Sequence, residues 1–146
     1  MTIFHSMNTT SSALTAQRMR MDIISSNMAN VDSTRGANGE PYRRKLAVLQ
    51  PKENGFSSFL DKAIGKEASG DGVKIARIAE DTRTPLKLVY DPEHPDAGKD
   101  GYVRYPNVDP LREMVDLVSA TRSYEANVTV FNASKGMMMK ALEIGK

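Results

Sequence analysis

The residues best suited to chemistry in this chain are two histidines and one acidic turn. His5 lies in the N-terminal segment, and His94 lies in the turn DPEHPDAGKDG at 91–101. Because the histidines belong to unrelated segments, they predict neither a catalytic pair nor a metal site. Taken as a calcium loop that starts at Asp96, the turn has Asn107 where the bidentate glutamate is required. A solvated turn is therefore the better interpretation.

Other kinds of site are disfavoured by residue type. The absence of cysteine excludes disulfides, zinc–thiolate sites and thiol nucleophiles. Gly70-Asp71-Gly72 lacks the remaining residues of a phosphate loop or a dinucleotide fingerprint, and no GxSxG nucleophile elbow occurs. We therefore expect no catalytic, metal-binding or cofactor-binding residues and no enzyme activity. The enzyme alternative would have to use Asp91, His94 and Asp96.

Composition favours an ordinary folded protein of about one domain. The chain has 146 residues, of which 40% are hydrophobic and 26% charged, so wholesale disorder is not indicated. The net charge of +2 is spread along the chain, which disfavours a nucleic-acid partner. No apolar run approaches the roughly 20 residues of a membrane span. The N-terminus lacks the pattern of a secretory signal peptide, so export would need another route.

A long helix is predicted at the C-terminus, from Pro110 to about residue 144. Alternating steps of three and four residues from Met114 give seven apolar positions out of nine, the pattern of a helix that packs along another helix. Pro110 suits a first helical turn and Asp109 can cap it. A helix of this length needs a partner of similar length.

The N-terminal segment shows the same seam from Ile3 to Val31, again with seven apolar positions out of nine, and predicts a helix over residues 3–28. Asn27, Asn30 and Asp32 are turn and C-cap types that would end it. On periodicity alone, this segment is either half of an ordinary helical hairpin or an assembly arm.

The middle of the chain is predicted to form a small sheet. All seven prolines lie between residues 41 and 110, and strand patterns occur in four segments separated by turn signals. These segments are 42–51, 72–82, 85–92 and 102–106. Asn38-Gly39 can take positive φ in the preceding loop. The basic run 43–45 is interpreted as the solvated end of a strand rather than as a patch for an anionic partner.

Together these patterns predict an α+β fold, in which long N- and C-terminal helices pack as an antiparallel coiled-coil-like pair around a small strand-rich middle region. The predicted divisions are an N-terminal helical arm at 1–32, a middle region at 33–106 with a short helix near 56–65, and a C-terminal helix at 107–146. The functional alternative at this point is a stand-alone helical adaptor or coiled-coil dimer with a β insert.

Two segments resemble the bacterial flagellar rod and hook family of axial proteins. SSNMANVDST at 25–34 is similar to its Asn-rich N-terminal signature, and residues 107–146 are similar to its C-terminal helix. The matching residues are Asn27, Ala29, Asn30, Val31, Asp32 and Ser33, then Met114, Val115, Asp116, Val118, Ala120, Arg122, Tyr124, Glu125, Ala126 and Asn127. The short middle region and the segment YVRYPNVDPLREMVDL most resemble the proximal rod members.

The resemblance implies a non-enzymatic rod subunit of the basal body, outside the cytoplasmic membrane, that transmits torque from the membrane ring to the hook. It implies export by the flagellar type III machinery, self-association in a helical assembly, and partners among the proximal and distal rod subunits and the membrane-ring base of the rod. No cofactor is implied.

The candidate site is therefore the helix-packing surface of both arms, together with the two family motifs. In the N-terminal arm the packing residues are Ile3, Met7, Leu14, Met21, Ile24, Met28 and Val31. In the C-terminal helix they are Met114, Leu117, Val118, Tyr124, Val128, Phe131, Met138 and Leu142. Methionine-rich seams suit this role because unbranched thioethers adapt to different neighbours.

Overall fold

The computed structural model describes residues 3–36, 38–52, 64 and 72–145. The elements described are α1 (Ile3–Ala29), β1 (Lys45–Pro51), β2 (Val73–Glu80), β3 (Lys87–Tyr90), β4 (Tyr102–Tyr105) and α2 (Pro110–Ile144). Two long helices with short antiparallel strands between them confirm the predicted α+β class. The short helix predicted near 56–65 lies outside the described residues, apart from residue 64.

Threonine side chains of helix α1 bond to the backbone of the same helix. Thr9, Thr10 and Thr15 donate their hydroxyls to carbonyl oxygens four residues earlier, at 2.9, 2.8 and 3.1 Å. These local bonds satisfy side chains that otherwise compete with helical structure. The helix ends where Asn30 donates both its backbone N–H and its side-chain amide to the Ser26 carbonyl. Asn30 is thus the helix-end residue that the sequence predicts.

Helix α2 begins as predicted at Pro110. The Asp109 carboxylate accepts the Leu111 N–H at 3.1 Å, and the Asp109 carbonyl accepts the Glu113 N–H at 3.0 Å. This N-cap satisfies donors that a first helical turn leaves unpaired. No glycine or proline interrupts the helix before Gly136, and it continues to Ile144.

The four strands form two antiparallel ladders, β1–β2 and β3–β4. In the second, Lys87 pairs with Tyr105 and Tyr90 with Tyr102. The first is bounded by the Asp81 N–H bond to the Arg44 carbonyl and by the Lys52 N–H bond to the Gly72 carbonyl, both 2.8 Å. All four segments predicted as strands contain one, although β1 begins at Lys45 rather than Tyr42.

The described residues cluster into two compact units. Unit 1 takes in 3–19, 48–52, 64, 72–77 and 120–145, and unit 2 takes in 20–36, 38–47 and 78–119. Each unit therefore contains part of each helix. The division into arms at 1–32 and 107–146 and a middle at 33–106 stays a prediction.

In unit 1, α1 contacts the start of β2 through a serine. The Ser12 hydroxyl accepts the Val73 N–H at 3.1 Å and donates to the Thr9 carbonyl at 2.7 Å. Gly72 stands at this contact with φ of 107°, and a Cβ there would lie 2.2 Å from the Ser12 hydroxyl oxygen. The close approach and the positive φ both require glycine.

In unit 2, the helices run antiparallel. Arg20 of α1 lies 3.8 Å from Asp116 of α2, and Asn27 further along α1 contacts Glu113, which precedes Asp116 in α2. The apolar core is small: its buried members are Ile23, Ile24, Val103, Pro106 and Val108. Buried polar side chains of comparable number lie in the same unit, and they form the site described next.

Neither α1 nor α2, the two long helices in the described part of the chain, combines the length and the apolar character that a membrane span requires.

Candidate functional site

A buried ion pair links Arg44, the residue before β1, to the first turns of α2. The Arg44 Nε donates to the Glu113 carboxylate at 2.5 Å, and a guanidinium NH2 group donates to Asp116 at 3.0 Å. The side chain of Arg44 is 9% exposed and that of Glu113 is fully buried. A carboxylate at this depth is tolerated only when it is paired and hydrogen-bonded.

Asn27, in α1, donates a further hydrogen bond to Glu113. Its side-chain amide donates to the other Glu113 oxygen at 3.0 Å and to the Lys45 carbonyl at 2.9 Å. Its side-chain oxygen accepts the Lys45 N–H and the Tyr42 hydroxyl, both at 2.9 Å. One side chain therefore joins α1, β1 and α2, and every polar atom of the amide is used.

Asn107 binds the neighbouring backbone from the segment before α2. Its oxygen accepts the Arg44 N–H at 2.8 Å, and its NH2 donates to the carbonyls of Asp81 and Thr84 at 2.9 and 3.1 Å. The Arg44 carbonyl accepts the Asp81 N–H. Between them, Asn27, Asn107 and Asp81 satisfy both backbone groups of Arg44 and of Lys45, as buried backbone requires.

We call Asn27, Arg44 and Glu113 the polar cluster. The interpretation of residues 43–45 as a solvated strand end is wrong for Arg44, because this residue is buried and paired with two carboxylates. Asn27 likewise does more than end a helix, since it lies within α1 and binds across to Glu113. The sequence signal for the cluster is that Glu113 lies one position from the apolar seam of α2. Its partner Arg44 is 69 residues away in the sequence, so this signal does not identify the pair.

The acidic turn between β3 and β4 makes structural contacts. Asp96 accepts a hydrogen bond from the Thr34 hydroxyl at 2.8 Å and pairs with the Arg35 guanidinium. The His94 ring accepts the Asp96 N–H at 3.1 Å and lies edge-on to Tyr105. Among the described residues, no group of three or more acidic or histidine side chains could hold a metal ion.

Asp81 stabilises the turn that follows β2. Its carboxylate accepts the Thr84 hydroxyl at 2.7 Å and the backbone N–H groups of Arg83 and Thr84 at 3.0 and 3.1 Å. The Thr84 hydroxyl is the main reason why the pKa of Asp81 lies below its usual value, with the Thr84 N–H next in importance. Hydrogen bonds to the ionised form of a carboxylate have this direction of effect.

The predicted packing residues of α1 are mostly half-buried. Ile24 is fully buried, and the side chain of Ile3 lies outside the described residues. The half-buried members are Met7, Leu14, Met21, Met28 and Val31. In the N-terminal motif, Asn27 is buried, Asn30 is half-buried, and Ala29 and Asp32 are exposed.

The predicted packing residues of α2 divide into two groups. Met114, Val118 and Leu142 are exposed, whereas the remaining members are half-buried: Leu117, Tyr124, Val128, Phe131 and Met138. The fully buried positions of α2 are Glu113, Ala120 and Ser134, which occupy a line one residue away from the predicted seam. In the C-terminal motif, Arg122 and Glu125 are exposed, and Asn127 donates to the Ser123 carbonyl within its own helix.

An exposed apolar stripe lies on the first turns of α2. Leu111, Met114, Val115 and Val118 are 70%, 49%, 64% and 52% exposed. Their spacing of three, four and seven residues places them on one helical face. Each residue advances the helix by about 100°, so Glu113 lies about 200° from both Leu111 and Val115. The stripe therefore faces away from the polar cluster.

Comparison with known proteins assigns the chain to a family. Residues 7–37 match the family described as "Flagella basal body rod protein", and residues 99–144 match "Flagellar basal body rod FlgEFG protein C-terminal". The chain is 62% identical to the flagellar basal-body rod protein FlgC of Bacillus subtilis, over the full length of both. The chain belongs to the FlgC family.

Further FlgC relatives support the assignment across distant bacteria. The FlgC protein of Borreliella burgdorferi is 46% identical over 99% of this chain and 98% of its own length. That of Salmonella typhimurium is 47% identical over 92% of each. The predicted resemblance to flagellar rod proteins is confirmed. FlgC-family proteins are structural components of the basal-body rod, which confirms the predicted class, the absence of enzyme function and the location in the flagellar basal body.

Proposed function

We propose that this chain is a proximal rod subunit that polymerises through its terminal helices into the shaft that transmits torque from the membrane ring to the hook. The observation that carries the proposal is the exposed stripe of Leu111, Met114, Val115 and Val118 on α2. Contiguous apolar side chains on a soluble surface are typical of protein–protein contacts. Membership of the FlgC family makes neighbouring rod subunits the natural partners.

The end of α2 offers further surface for such contacts. Met137, Met139, Leu142 and Ile144 are each more than half exposed. Flexible thioethers can pack against neighbours of slightly different shape, which suits a subunit that meets both its own kind and other rod proteins. Identical head-to-tail contacts that do not close into a ring build a helical assembly.

The partners in this proposal are the proximal and distal rod subunits and the membrane-ring base of the rod. The flagellar type III machinery would export the chain. Membership of the rod-protein family supports assembly with other rod components. Coiled-coil-like packing of both helices along the rod wall is part of the same proposal.

The test places charge on the stripe without disturbing the polar cluster. In a motile host that lacks its own copy, Val115→Asp with Val118→Asp should abolish rod assembly and swimming. The free energy of unfolding of the purified variant should lie within about 0.5 kcal/mol of the parent value, because substitutions at exposed positions rarely change stability more. The matched control, Val115→Thr with Val118→Thr, keeps side-chain size and should assemble. Normal rods from the aspartate variant would refute the stripe as an assembly surface.

A further inference from the structure

The hydrophobic pattern of the two helices leaves their alignment ambiguous. Met7, Leu14, Met21 and Met28 recur every seven residues in α1. Leu117, Tyr124, Phe131 and Met138 do the same in α2. If one helix slid along the other by seven residues, about 10 Å, apolar side chains would again face apolar side chains. Burial of apolar area alone therefore discriminates weakly between alignments.

The polar cluster distinguishes between these alignments because, unlike the apolar pattern, it does not repeat every seven residues. Asn27 is 1% exposed and Glu113 is fully buried. They contact each other at 3.0 Å, and both also bind the start of β1. A buried polar group is tolerated only where its partner stands, so the cluster favours one alignment over those that separate the partners.

We propose that Asn27, Glu113 and Arg44 set the register of α1 against α2, as a specificity device rather than as a net source of stability. This inference goes beyond the proposed function and does not depend on it. A single register would give every copy of the chain the same outer surface.

The residues seven positions away show what a shifted register would lose. Counting from Glu113, these residues are Ala120 and Pro106. Neither side chain can accept a hydrogen bond from the Asn27 amide. In either shifted register Glu113 would also lose the Asn27 amide. If β1 stayed with α2, Asn27 would lose both backbone groups of Lys45, and if β1 moved with α1, Glu113 would lose Arg44. The shifted registers keep the apolar pattern and lose the polar one.

Bifunctional crosslinking can report register directly, because the chain has no cysteine of its own. Arg20→Cys with Asp116→Cys probes the native register, since these side chains lie 3.8 Å apart. Arg20→Cys with Ser123→Cys and Arg20→Cys with Asp109→Cys probe shifts of seven residues in the two directions. Each pair is placed in the full chain and treated with a short bis-maleimide, and intramolecular crosslinks are quantified by mass spectrometry.

The deciding variant replaces the cluster with apolar residues of similar size: Asn27→Leu, Arg44→Met and Glu113→Leu together. The matched control is Asn132→Leu, because Asn132 is an exposed asparagine of α2 outside both family motifs. Asn27→Ala alone serves as a second variant with a smaller change. A role in stability alone would lower all crosslinks together and would not create a shifted one.

In the parent and in Asn132→Leu, the native pair should exceed either shifted pair by about tenfold or more, as expected when a shift leaves a buried polar group unpaired. In the triple variant and in Asn27→Ala, at least one shifted pair should rise to within about threefold of the native pair. Crosslinking of the native pair alone in both cluster variants would overturn the proposal.

Discussion

The two parts of α2 are held in different ways. Its first turns, in unit 2, are bound to the rest of the chain through Glu113 and Asp116, which pair with Arg44. In its later turns, Asn127, Thr129 and Lys140 make side-chain hydrogen bonds within the helix itself. From residue 139 to 145 every residue is exposed. The difference teaches that the two ends of one helix can be held differently, the first turns by tertiary ion pairs and the last turns by bonds within the helix.

Buried polar groups show a similar contrast in α1. In unit 2, Asn27 has every polar atom of its side chain paired. In unit 1, the side-chain oxygen of Gln17 is buried without a hydrogen-bond donor among the described residues. A satisfied group specifies a structure, whereas an unsatisfied one only lowers stability.

The largest expected effect comes from breaking the ion pair on one side. Glu113→Leu leaves the Arg44 guanidinium buried with only the half-exposed Asp116, and should lower the free energy of unfolding by about 3–5 kcal/mol. Urea unfolding of the purified chain measures this change. Glu113→Gln is the control, because its oxygen can still accept hydrogen bonds, and it should cost less. If Glu113→Leu lowered the free energy of unfolding by less than about 1 kcal/mol, the result would contradict the burial of the Arg44 charge.

A smaller effect of opposite sign is expected in unit 1. Gln17→Met retains the length of the side chain and removes the unpaired oxygen, so it should raise the free energy of unfolding by about 1 kcal/mol. Thermal unfolding would record a higher midpoint. Gln50→Met, at an exposed position of β1, provides the matched control and should leave the midpoint unchanged. Destabilisation by Gln17→Met would show that the oxygen has a partner.

The smallest effect concerns the turn at Asp81 and depends on pH. The pKa of Asp81 is lowered in the folded chain, so its contribution is fully present above the unfolded pKa of about 3.9 and is lost as pH falls through the lower folded value. Asp81→Asn should therefore be less stable than the parent near neutral pH, and the gap should close below about pH 4. The free energy of unfolding of both proteins, measured across this pH range, tests the prediction. If the difference between the two proteins did not change with pH, ionisation of Asp81 would be excluded as its cause.

Sequence patterns predicted the helices and strands well, because their signals are local. The 3.5-residue seam, Pro110 and Asp109 place the start of α2, and the turn residues around the four strand segments place the ladders. β1 is shorter than its pattern predicts because Arg44 is committed to contacts with Asn107, Asp81 and Glu113.

The polar cluster could not be predicted, because its signal is not local. A run of three basic residues is usually solvated, and nothing near residues 43–45 indicates a buried carboxylate. Glu113 pairs with Asn27 across 86 positions of sequence. The sequence identifies Asn27 as a motif residue and as a turn type, but its tertiary contacts depend on the alignment of two helices that the apolar pattern leaves open.

Hydrogen exchange along α2 of the purified full chain tests the central contrast most directly. If the first turns are anchored by their own chain, amides at residues 117–120 should exchange more slowly than those at 137–142 by about tenfold or more, as expected for a core segment against a terminal one. Equal protection at both ends, or slower exchange over 137–142, would contradict a helix that its own chain anchors at the first turns.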